Sequence, residues 1–229
     1  MNEILRGLIE AFRLIAAGDP ELFEIIALSL RVSGMALLIS TAIGVPAGAA
    51  LGLTRSRVHW LITALLYTGM GLPPVVVGLF VYLMLSRSGP FGAWGWLFTP
   101  NAMIVAQTII ALPLVAGLTM TAVRSVDDTL RVQVRSLGAT GVQEAWTVLV
   151  EARVGVVAAI VAAFGGIISE VGAVMLVGGN IAGKTRVLTT AIVLNTRQGE
   201  FALALALGVI LLALSFAANV ALLRLQGRT

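Results

Sequence analysis

The sequence predicts an all-α integral membrane protein with about five transmembrane helices behind an amphipathic N-terminal helix. Two compositional observations carry this. Of 229 residues, 59% are hydrophobic and only 11% charged, against about 45–50% and about 25% in soluble globular chains. The charges also cluster, leaving uncharged or nearly uncharged runs long enough to cross hydrocarbon. A third observation fixes the first element. Glu3, Arg6, Glu10 and Arg13 recur at intervals of three and four, with Ile4, Leu5, Leu8, Ile9 and Phe12 between them. That period gives an amphipathic helix over 1–18 that lies in the interface, the alternative being a frayed, solvated leader. The same charges break any apolar signal-peptide core.

Residues 19–229 read as one membrane domain. Asp19-Pro20-Glu21 is a helix start: a capping oxygen, a proline in the first turn and an acid at the positive end. Span one runs from Val32 to Leu53 and a short loop, 54–59, follows with Arg55 and Arg57. Span two is Trp60–Leu85 and contains GLPPVVVG (71–78), where Pro73 and Pro74 remove backbone hydrogen bonds. Inside a membrane such a break is tolerated where it packs in protein or lines a cavity, so the segment is either a kinked packing helix or a bent pathway wall. The loop 86–100 carries Trp94, Trp96 and Phe98, aromatic-belt residues for a membrane surface. Span three covers Ala102–Val123. The polar, helical stretch 124–153 holds eight charged residues, and span four covers Val154–Val177 with Glu170 inside it. A second polar stretch, 178–200, precedes span five, Phe201–Leu223.

Five spans put the termini on opposite sides. The 54–59 loop, the 124–153 loop and the tail hold slightly more arginine than the other side, which predicts an external N-terminus and a cytoplasmic C-terminus.

GGNIAGKT (178–185) matches the P-loop pattern G-x-x-x-x-G-K-[ST]. A working P-loop needs a strand before it and a helix immediately after it, with an acidic partner for Mg²⁺. This match follows a transmembrane segment on the predicted external side, so its glycines read as a turn. The lone His59 has no adjacent acid, no histidine pair suggests a metal site, and cysteine is absent. No basic patch interleaved with aromatics points to nucleic acid. Nothing in the chain reads as an enzyme in its own right. Glu170 is the acid inside a span and lies about 24 Å along the helix axis from Val154. Its functional reading is a pathway or gate residue; the alternative is a carboxylate satisfied by backbone donors at a helix contact, with Gly172 and Ala173 allowing close approach.

VRSLGATGVQEAWTVLVEAR (134–153) resembles the cytoplasmic coupling loop of ABC-importer permeases, whose pattern is about E-A-A-x-x-x-G. Val132, Gln133 and Val134 replace the E-A-A, and Val150-Glu151 stands where Leu-Pro is common. Arg135, Leu137, Gly138 and Ala139 keep the R-x-L-G-A run. The segment 164–207, with SEVGAVMLVGGNIAGKTR, together with GLPPVVVG and SRSGP, is similar to the molybdate/tungstate class of these permeases, and most of all to tungstate importers. The resemblance extends from about Leu22 to the end.

It implies a type I importer architecture: a homodimer in the prokaryotic inner membrane, bound to two cytoplasmic ATPase subunits and fed by an extracytoplasmic oxyanion-binding protein. ATP and Mg²⁺ would sit on the ATPase, with no cofactor on this chain. Arg135, Ser136, Leu137, Gly138 and Ala139 would meet the ATPase. Pro73, Pro74, Glu170 and Gly172 are pathway or gate candidates, with Glu170 paired or hydrogen-bonded because a bare carboxylate repels a dianion. Gly179, Asn180, Lys184 and Arg186 would face the binding protein, Lys184, Arg186 and Arg197 placing positive charge where an oxyanion arrives. Tungstate is the expected cargo, with molybdate and sulfate as alternatives separated mainly by the binding protein. A secondary transporter or channel is the alternative of another class, but no internal repeat supports it and one acid is thin provision for ion coupling.

Overall fold

The computed structural model describes residues 3–54 and 59–226. Arg55, Arg57 and Arg228, which carry part of the charge asymmetry, lie outside the described residues, as does the side chain of His59. Among the described residues every regular element is helical. The chain forms two compact units, one built from Met1–Ala36, Pro73–Gln107 and Gly165–Val220, the other from Leu37–Leu72, Thr108–Phe164 and Ala221–Thr229.

In the first unit, helix α1 spans Glu3–Ala17 and α2 begins at Pro20 and runs to Leu53. The predicted start of α2 is realised: Leu22 N donates to Asp19 Oδ1 at 3.0 Å, filling one orphan donor of the first turn. Helix α1 packs through its small residues. A Cβ on Gly7 would come within 2.7 Å of the Leu205 side chain, and Ala11 is buried with Leu22, Ile25, Leu188, Ala206 and Leu207. Ile4, Leu5, Leu8, Ile9, Phe12 and Ile15 remain exposed, while Leu14 packs against that core.

The second predicted span is not one helix. It is α3, His59–Met70, and α4, Pro74–Leu85, separated by Gly71-Leu72-Pro73. Pro74 pushes the residue before it out of the helical region, and Pro73 sits at φ −62°, ψ 121°. After a single 3₁₀ turn at Gly92–Trp94, α5 covers Pro100–Arg124 and tolerates Pro113 within it. The polar stretch 124–153 folds as a hairpin of α6, Asp128–Ser136, and α7, Gly141–Glu151.

The fourth span is also shorter than its apolar run. Helix α8, Arg153–Ile168, meets α7 at a 67° bend and stops before Glu170. A separate short helix, α9, covers Gly172–Gly178. The stretch 178–200, read as a loop from its polarity, is half helix: α10 spans Leu188–Gln198. Its polar residues are used inside the fold, since Thr189 and Thr190 are buried and Leu188 N donates to Ser29 Oγ at 2.9 Å. Helix α11, Phe201–Gln226, closes the chain. Among the described residues, three helices are long and apolar enough to cross a membrane, or up to five segments if each bent pair is one span.

In the second unit, the C-terminal half of α2 lies against α5 through glycine. Cβ atoms on Gly44 and Gly52 would come within 3.0 Å of Val115 Cγ1 and 2.6 Å of Val123 Cγ1. Gly48 faces the Ala116 carbonyl oxygen directly. The spacing of four places these glycines and Ser40 on one stripe, the small-residue device by which membrane helices approach.

Candidate functional site

The α6–α7 hairpin is built by local chemistry. Asp127 caps α6, its carboxylate accepting from Thr129 Oγ1 at 2.6 Å and Thr129 N at 2.8 Å. Those bonds hold the Asp127 carboxyl below the usual carboxylate range. Helix α6 is followed by Leu137 and Gly138: Gly138 takes φ +83°, a left-handed conformation suited to glycine, and its N–H donates to Arg135 O at 2.9 Å. Thr140 and Gln143 form a reciprocal capping box that starts α7.

Between the two helices sits Glu144, only 6% exposed. Its Oε2 accepts from Arg135 Nε at 2.6 Å, and its Oε1 from Arg135 Nη2 and Arg131 Nε, both at 3.0 Å. Arg131 also donates through Nη2 to the carbonyl of Leu53, the last residue of α2, at 3.0 Å. One carboxylate therefore joins both hairpin helices, and Arg131 ties them to the end of α2. The Arg135 hydrogen bond, aided by Arg131, holds the Glu144 carboxyl below its usual range against the opposing effect of burial.

On α7, Glu144 and Val148 form the buried side, and Val142 and Trp146, also four apart, form an exposed one. With Leu137, 86% exposed at the turn, they give a polar hairpin an apolar surface. Of the five predicted coupling residues, Leu137 is the apolar knob. Gly138 and Ala139 shape the turn, and Ser136 donates to its own helix at Gln133 O. Arg135 is spent largely on Glu144, although its side chain is still 62% exposed. Glu144 and Arg131 were not singled out from the sequence; their signal was an acid nine and thirteen residues beyond two arginines one helical turn apart.

The predicted gate residues meet in the first unit. Pro73 and Pro74 start α4, which packs on α9: a Cβ on Gly78 would fall 2.6 Å from Ala173 Cα, and one on Gly172 2.6 Å from Val75 Cγ2. Glu170 is half-buried, and its Oε1 accepts from Ala173 N at 3.0 Å. Its carbonyl accepts from Thr189 Oγ1 at 3.0 Å. The carboxylate thus accepts one N–H of the first turn of α9. Glu170→Ala is expected to cost about 1 kcal/mol, the usual value of a lost cap. Glu170→Gln keeps an acceptor and should cost only a few tenths. Thermal unfolding of the detergent-solubilised protein checks this, and equal losses for the two variants would contradict a capping role.

GGNIAGKT does not form a phosphate cradle. It follows α9, not a strand, and Gly179 (φ 72°) terminates that helix. Thr185 is fully buried, its hydroxyl accepting from Ile181 N at 2.9 Å and donating to Gly178 O at 2.6 Å. The hydroxyl a P-loop would turn toward Mg²⁺ closes a turn instead. Asn180 takes φ 51° beside Gly179. Lys184 is exposed, and Arg186 pairs with Glu21 at 3.2 Å. Lys184 and Arg186 share the wall of an open cavity of about 360 Å³ with Arg31, Glu21 and Glu24. Arg31 and both glutamates were not read from the sequence as part of this site.

Broken apolar helices packed through glycine, with a rigid polar hairpin presenting an apolar knob, define a helical membrane transport component. The chain belongs to the binding-protein-dependent transport system inner membrane component family, which matches residues 44–229. It is 46% identical to a probable anion ABC transporter permease protein of Haloferax volcanii, covering 93% of this chain and 96% of that one. It is 39% identical to the tungstate uptake system permease protein TupB of Peptoclostridium acidaminophilum, covering 99% of each. An inward-facing structure of the MetNI methionine ABC transporter matches with a TM-score of 0.75 at 21% identity, over 90% of this chain and 94% of that one. That likeness establishes the fold, that of type I ABC-importer permeases, and the family match makes the chain a multi-pass inner membrane transport component.

Proposed function

We propose that this chain forms the membrane pathway for tungstate in an ABC importer, as a homodimer driven by two cytoplasmic ATPase subunits. An extracytoplasmic oxyanion-binding protein delivers the cargo, and ATP with Mg²⁺ binds the ATPase. The observation that carries this reading is the α6–α7 hairpin. A helix pair clamped internally by Glu144 and tied to a membrane helix moves as one body, and Leu137, Val142 and Trp146 give it an apolar surface to dock in an ATPase groove. Full-length similarity to a tungstate uptake permease supports the cargo. The N-terminus is external and the C-terminus cytoplasmic, which puts the hairpin on the ATP side and Lys184 with Arg31 at the outer mouth. There positive charge raises the local concentration of an arriving dianion.

Leu137→Asp tests the docking. A charge placed at the centre of an apolar contact should reduce copurification with the ATPase by more than about tenfold, the equivalent of about 1.4 kcal/mol. Membrane insertion should be unchanged. Undiminished ATPase association in Leu137→Asp and in Trp146→Asp would overturn the hairpin assignment.

A further inference from the structure

A second cavity, of about 340 Å³, lies in the first unit among α1, α2, α10 and α11. Its floor is apolar, formed by Leu14, Leu22, Leu203 and Leu207. Its rim carries Asp19, Glu21 and Arg186. Asp19, Leu22 and Leu203 stand at the first turns of α2 and α11, two helices long and apolar enough to cross a membrane. The cavity is therefore at headgroup depth whichever side it faces. Exposed Phe12 and Ile15 beside Leu14 extend the apolar surface along α1.

We propose that this cavity binds one membrane phospholipid bearing a primary amine, headgroup at the rim and tail root on the leucine floor. Two features select this ligand. Arg186 Nε is buried with no acceptor among the described residues, although Nη1 of the same guanidinium holds Glu21. A guanidinium presents several donors in one plane, and the Arg186 side chain keeps 22% exposure, so its outer N–H groups, not the buried Nε, can reach a phosphate oxygen next to the existing ion pair. The rim then carries two carboxylates to one guanidinium, an excess of one negative charge. That disfavours an anionic headgroup and gives an ammonium carboxylate acceptors within the same rim. A quaternary amine has no N–H to donate to them. The volume is within the range of about 300–1,000 Å³ typical of small-molecule sites.

The test uses the full chain with its ATPase partner in nanodiscs of equimolar phosphatidylethanolamine, phosphatidylcholine and phosphatidylglycerol. Lipids retained after detergent transfer are counted by native mass spectrometry. Phosphatidylethanolamine is expected to be retained about tenfold over the other two, the effect of one charge-assisted hydrogen bond. Leu194→Trp, which fills the cavity from α10, and Arg186→Met should each remove that preference. Leu79→Trp, on the exposed face of α4, should preserve it. Equal retention of the three lipids by the unaltered protein would overturn the proposal, as would a preference that survives both cavity variants. Disulfide formation between copies carrying Leu194→Cys would assign the cavity to a second chain and overturn it equally.

Discussion

Glu144→Gln is expected to reduce ATP-driven uptake by about tenfold or more while leaving the protein in the membrane. The carboxylate is nearly buried and receives three hydrogen bonds from Arg131 and Arg135. The Arg135 side chain is 62% exposed, so solvent screens part of the lost charge interaction, and the larger loss is the charged acceptor shared by both arginines. Glutamine retains an acceptor but no charge, so Arg131 and Arg135 repel each other across it and the tie to Leu53 loosens. A hairpin that yields locally no longer transmits motion. The same geometry sets an acid limit. Because Arg135 and Arg131 lower the folded-state pKa of Glu144, the clamp is fully stabilising above the unfolded carboxylate value of about 4.3. Its contribution is lost as pH falls through the lower folded value. Limited proteolysis of the hairpin should therefore rise at acid pH in the wild type, and should be raised and nearly pH-independent in Glu144→Gln. Equal protection of both proteins at neutral pH would contradict the clamp.

Gly48→Ala is expected to destabilise the protein strongly, by about 1–3 kcal/mol or more, despite being the smallest possible addition. The new methyl would meet the Ala116 carbonyl oxygen and, 2.9 Å away, Thr119 Cβ. A backbone carbonyl inside a helix cannot rotate aside, so α2 and α5 must separate along the stripe that includes Gly44 and Gly52. Gly208→Ala is the control. Nothing lies within 4 Å of its Cβ position, and alanine there removes unfolded-state freedom, stabilising by about 0.4–1 kcal/mol where the helix accepts it. Opposite shifts in thermal unfolding are the predicted result. Equal shifts would mean that the stripe does not set the helix approach.

Features fixed by neighbouring residues were legible in the sequence. Asp19-Pro20 started α2, because a cap acts within one turn. The break at Pro73-Pro74 was visible as chemistry, but an uncharged run from Trp60 to Leu85 says nothing about direction, so two helices read as one span. Val154–Val177 failed similarly: hydropathy passed through Ser169-Glu170-Val171, where the helix stops. The polar stretch 178–200 misled in the other direction. Thr185, Thr189 and Thr190 are polar yet buried, their hydroxyls bonded to nearby backbone. Glu144 escaped notice because its partners lie across a turn, and only the folded hairpin shows that one acid serves two arginines.

The most direct test is uptake by proteoliposomes containing this chain and its ATPase, with the oxyanion-binding protein added outside and ATP inside. The account predicts tungstate accumulation that requires ATP, the ATPase and the binding protein together, and that Leu137→Asp abolishes. Accumulation without the ATPase, or none with all components present and associated, would contradict it.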